Sequence, residues 1–129
     1  MIFPATTAFY AGVLALVLVG LSGWVMAGRL AGNVLHGDGG DADLQKRIRS
    51  QANFVEYVPI ALILIGLLEG RGTGHGTIQA LLVALLVGRL LHPVGMFAPA
   101  NSPRQFACRG GGMVLTFGTI VVAAVMLLV

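Results

Sequence analysis

Charge is scarce in this chain. Eight Lys and Arg and five Asp and Glu make up 10% of the 129 residues, against the roughly one quarter usual for a soluble domain. A surface that must face water cannot be built from so few charges, so a soluble globular domain is excluded. The net charge of +3 is modest, which argues against a nucleic-acid surface. Cysteine is nearly absent: Cys108 stands alone, makes no internal disulfide, and reads as a small buried hydrophobe. No second His or Cys stands at ligand spacing from His92, which argues against a metal site. Tyrosine occurs only at Tyr10 and Tyr57.

What is present is apolar. The chain is 57% hydrophobic, with a mean hydropathy of +0.89. Four stretches carry that character: Ile2 to Gly28 and Gly110 to Val129, both without charge, Ser50 to Leu68, and the shorter Gly76 to Leu91. Each approaches the roughly 20 residues that cross about 30 Å of hydrocarbon. The expected fold is all-α, an integral membrane four-helix bundle forming a single domain over residues 1–129. The first stretch lacks a basic leading region and is too long for a signal-peptide core, so it is expected to remain as a helix. Arg29, Lys46, Arg47, Arg49, Arg89, Arg104 and Arg109 lie in or beside the first and third connections, and only Arg71 lies by the second. By the positive-inside rule those two connections face the cytoplasm.

The connections differ. Ala31 to Asp43 is rich in glycine and aspartate without periodicity and reads as a mobile loop, closed by Asp43 as N-cap of the second helix. Gly70 to Gly74 reads as a short turn. Phe97 to Pro103 carries Pro99 and Pro103, cannot be helical throughout, and delivers Arg104 to the start of the fourth helix. Gly20, Gly23, Ala27 and Ala31, with Gly110 to Gly112, read as surfaces for close helix approach.

Polar chemistry concentrates in the second helix. Arg49, Asn53 and Glu56 at i, i+4 and i+7 lie within about 40° of one line and share a face. An ionised group at membrane depth costs roughly 2.5 to 3.5 kcal/mol on insertion scales, so it needs a partner or a purpose. A private ion pair that fixes helix packing and a ligand site both meet that need. Pro59 removes a backbone donor and predicts a kink just past the cluster. Arg89 and His92 share a face at i and i+3 near the end of the third helix. Arg89 reads either as a cation snorkelling to the interface or as part of the same polar centre.

The run from Arg49 to Pro59 reads Arg-x-Gln-x-Asn-x-x-Glu-Tyr-x-Pro, which resembles the second-helix signature of the MAPEG family, the membrane-associated proteins in eicosanoid and glutathione metabolism. Arg89-Leu-Leu-His92 is similar to the Arg-x-x-His of its prostaglandin E synthase and microsomal glutathione transferase branches. Pro-Ala-Asn-Ser-Pro-Arg104 resembles the approach to the family's catalytic arginine. The resemblance implies a homotrimer of four-helix subunits in the lipid bilayer, with glutathione bound between neighbours near the cytoplasmic face. It implies that Arg49, Asn53, Glu56 and Tyr57 line the glutathione site, joined by Arg29, Arg89 and His92 from the first and third helices. It further implies an arginine, Arg104 or Arg109, that activates the thiol, with Arg104 slightly favoured by its distance from His92.

The implied activity is a glutathione transferase or peroxidase acting on a small lipophilic electrophile in a bacterial inner membrane. The alternative is a non-catalytic glutathione- or lipid-binding scaffold of the same family. Met96 stands where the eicosanoid enzymes carry a third-helix tyrosine, which argues against an eicosanoid substrate. A small multidrug transporter would need a carboxylate in its first helix, and none is there.

Overall fold

The computed structural model describes residues 1–129 and contains four long helices and no strand. They are α1 (Ala5–Gly32), α2 (Ala42–Gly70), α3 (His75–Met96) and α4 (Pro103–Leu128). All four are long and apolar enough to cross a membrane. The third, which reads as short in sequence, gains its length by continuing past His92 and Pro93 to Met96.

Local chemistry sets the helix ends. Asp41, not Asp43, caps α2: its carboxylate accepts from the amides of Asp43 at 2.8 Å and Leu44 at 3.3 Å, while Asp43 sits inside the first turn. Both aspartates suit the role, and the one that leads the first helical residues wins it. The preceding loop, expected to be mobile, carries hydrogen bonds of its own. Arg29 donates to the Gly37 carbonyl, Val34 N to Arg29 O at 2.9 Å, and Gly40 N to the Asp38 carboxylate at 2.9 Å. Pro59 lies inside α2 without ending it, and α2 is one continuous helix on both sides of the ring.

The fourth helix is the irregular one. Ser102 caps it by accepting from Gln105 N at 3.1 Å, Pro103 fills the first helical position, and Gln105 accepts in return from Asn101 N at 2.8 Å. That single turn passes into a π-helical stretch, Phe106–Gly110, before α-helix resumes from Gly111 to Leu128. Such π insertions are rare and recur at functional sites.

α2 and α3 form a central pair. α1 packs on both from one side and α4 on both from the other, and α1 and α4 do not touch. The apolar core runs through Leu14, Phe54, Val58, Ala61, Ile65, Ile78, Leu82, Leu85 and Ala123. Only 26 of 129 residues are buried, so most apolar side chains are at least partly exposed, an arrangement tolerated where the surroundings are lipid or another apolar surface. Gly20, Gly23, Ala27 and Ala31 belong to that outer surface and do not serve packing inside the chain. The expectation of close approach holds instead at Gly112. A Cβ there would stand 2.7 Å from the Gly88 carbonyl, so α3 and α4 touch backbone to backbone.

Candidate functional site

At the end of the bundle where α1 leads into α2 and α3 into α4, the interior turns polar. Arg89 on α3 is only 2% exposed, which overturns the snorkelling reading. Its Nη1 donates to Asn53 Oδ1 on α2 at 2.5 Å, and its Nη2 donates to the Gly112 carbonyl on α4 at 3.2 Å, with Met113 Sδ at 3.7 Å. Its Nε is buried with no partner. His92, one turn on, is 5% exposed, and its Nδ1 is likewise buried and unpaired. A buried guanidinium held by neutral oxygens, without a carboxylate, leaves a positive charge uncompensated inside the protein.

The three polar residues of α2 divide at this point. Asn53 turns inward to Arg89, whereas Arg49 and Glu56 lie on the outer face as an ion pair at 3.7 Å, with side chains 55% and 45% exposed. The pair anticipated from sequence is therefore real, and it sits beside the buried centre instead of sealing it. Such an exposed pair contributes about 0 to 1 kcal/mol, too little to account for two ionised groups at a helix surface near the membrane. Tyr57 packs edge-on against Phe117 of α4, with ring centroids 5.0 Å apart.

Of the two candidate activating arginines, Arg109 belongs to this cluster. Arg109 sits in the π-helical stretch, its backbone pressed against Gly95 of α3, where any Cβ would collide with it. Arg104 lies on the opening turn of α4, which also packs against α3, and like Arg109 it is exposed. Arg29 is occupied with the Gly37 carbonyl of the loop and does not join the cluster within one chain. Cys108, expected to be buried, is only partly buried in the same π stretch.

A separate polar group escapes sequence reading. At the opposite end of the bundle Glu69 accepts from Thr6 N at 2.9 Å, and from Thr7 N and Thr7 Oγ1 at 2.8 and 2.7 Å. It thereby supplies the N-terminal cap that Pro4 cannot give α1. Arg71 donates to the carbonyls of Met126 and Leu127 at the end of α4, at 2.5 and 3.5 Å. The partners of these two side chains lie 55 to 63 residues away in sequence, so no local pattern announces them.

The MAPEG family model matches residues 7–129. Inner membrane protein YecN of Escherichia coli K12 is 37% identical over 111 residues, covering 86% of this chain and 81% of that protein. YecN from Escherichia coli O6:H1 matches with the same figures. No solved structure matches.

Proposed function

Because the chain belongs to the MAPEG family, we propose that the polar end of the bundle binds glutathione and activates its thiol against lipophilic electrophiles, as a transferase or peroxidase. The observation that carries this reading is the uncompensated guanidinium of Arg89 beside the unpaired Nδ1 of His92. Together with Arg49 and Arg109, the cluster holds three cations and one carboxylate, Glu56. Glutathione carries two carboxylates and one ammonium, so the two charge sets are complementary, with Glu56 suited to the ammonium and Arg49 to a carboxylate. The donor set therefore fits the tripeptide.

Activation follows from electrostatics. A free thiol has a pKa near 8.5, so at neutral pH only a few per cent is thiolate, and an adjacent guanidinium raises that fraction by stabilising the charged form. Arg109 is assigned this role. It is exposed at the mouth of the cluster and anchored by the Gly95 contact, so its head group is free while its backbone is not. Bound glutathione supplies the sulfur nucleophile that displaces a leaving group from the electrophile. The chain's part is to orient that sulfur and hold its charge.

The reading also assigns a homotrimer. α1 and α4 of one chain do not touch, so a cleft between first and fourth helices needs α1 from a second copy. A second copy would cover the exposed Arg49–Glu56 pair and bring its Arg29 to the site. The expected location is the bacterial inner membrane, as for YecN, with the polar end toward the cytoplasm. The test is conjugation of glutathione to a generic aryl halide by the detergent-purified protein. A protein that neither conjugates nor binds glutathione contradicts the proposal.

One observation favours the non-catalytic reading. Tyr10 and Tyr57 are the only tyrosines and Met96 ends α3, so no phenol is available there to assist at the sulfur. Glutathione binding without the thiolate's ultraviolet band would select that alternative.

A further inference from the structure

We infer that Arg89 is a positioning residue that couples the ligand wall on α2 to the arginine-bearing turn of α4, and does not itself touch the ligand. The inference rests on the glutathione reading and specifies how that site is assembled. An arginine has donors and no acceptor, so the atom of Asn53 that faces Arg89 Nη1 at 2.5 Å must be its oxygen. The amide nitrogen of Asn53 is thereby turned the other way, with both hydrogens free of any partner in the chain and ready for an acceptor on a ligand. Without Arg89 the amide could take either orientation, and half of its states would present the wrong atom to a carboxylate.

The second arm of the fork reaches α4. Nη2 donates to the Gly112 carbonyl at 3.2 Å, three residues after Arg109, on the α-helical side of the π-to-α junction. Backbone contact between Gly88 and Gly112, and between Gly95 and Arg109, brackets the same junction from α3. One planar guanidinium thus bridges two helices that carry different parts of the site. A point-charge ammonium could not hold both oxygens in this geometry. The positive charge that complements an anionic ligand thus also ties Asn53 to the α4 backbone beside Arg109.

Calorimetry with S-methylglutathione, which lacks a titrating thiol, isolates the α2 arm. Arg89→Lys is expected to weaken binding about tenfold, the scale of one charge-assisted hydrogen bond. In a double-mutant cycle with Asn53→Ala, the double variant should bind no more weakly than Asn53→Ala alone, because Arg89 acts through Asn53. Losses that multiply would mean that Arg89 meets the ligand directly, and would overturn the inference. The α4 arm is read from bound glutathione: in Arg89→Lys the thiolate band should titrate at higher pH even at saturation. An unchanged titration would also overturn it.

Should Arg89→Lys fail to fold, Asn53→Asp serves instead. It keeps an acceptor for Arg89 but removes the outward donor, so affinity should fall about tenfold while the melting temperature holds or rises. Wild-type affinity in that variant would overturn the inference. Absence of glutathione binding by the unmodified protein would remove the underlying reading, a result distinct from any of these.

Discussion

The two ends of the bundle use their charges in opposite ways. At one end Glu69 and Arg71, at the C-terminal end of α2, spend every contact on the chain itself: the carboxylate caps the start of α1 and the guanidinium caps the end of α4. At the other end Arg89 and His92 keep buried atoms without partners, and Arg49 and Glu56 stand half-exposed. A helix end needs its orphan backbone groups satisfied, and the first end does that with the fewest charges available. The second end carries more cations than its carboxylates can balance. Satisfied polarity marks the structural end, and unsatisfied polarity marks the end proposed to bind an anionic ligand.

The difference can be broken by substitution, and the largest effect is expected at the open end. Arg109→Ala should lower the conjugation rate at neutral pH by about a hundredfold or more, the usual loss when one preorganised charge stabiliser is removed. Without the guanidinium the bound thiol returns toward its ordinary value near 8.5, so activity should recover as pH rises through that value, whereas the unmodified protein should change little there. Parallel pH–rate profiles check this. At the closed end Glu69→Ala removes three hydrogen bonds and the cap of α1. It should lower stability by about 1 to 3 kcal/mol, with glutathione affinity unchanged, as thermal melts and calorimetry would reveal.

Two smaller effects sharpen the comparison. Glu56→Gln should weaken glutathione binding about tenfold through loss of the ammonium partner, yet change stability by less than about 1 kcal/mol because its pair with Arg49 is exposed. A stability loss as large as that of Glu69→Ala would make the pair a structural brace. Cys108→Ser should alter both stability and binding by less than about 0.5 kcal/mol, since the thiol is only partly buried and unpaired.

How much of this was legible in sequence follows from the range of each signal. The four helices were readable because apolar run length is a local property, and the α2–α3 turn followed from its glycines. The N-cap of α2 slipped by two residues, because Asp41 and Asp43 are chemically equal and only the backbone decides between them. Asn53, Glu56 and Arg49 were readable as a group, but which of them faces inward depends on where α3 and α4 pack. The burial of Arg89 was not readable for the same reason: its partners lie 36 and 23 residues away. Spacing from His92 favoured Arg104. The π stretch, which no residue pattern in the third connection announces, is what brings Arg109 against Gly95. Glu69 and Arg71 went unread because a cap supplied by another helix leaves no local trace.

Calorimetric titration of the detergent-purified, unmodified protein with glutathione at neutral pH, with the thiolate's ultraviolet band followed in the same sample, tests the open end most directly. Saturable binding accompanied by growth of that band is the predicted result. Glutathione that neither releases heat nor ionises in the presence of the protein would contradict it.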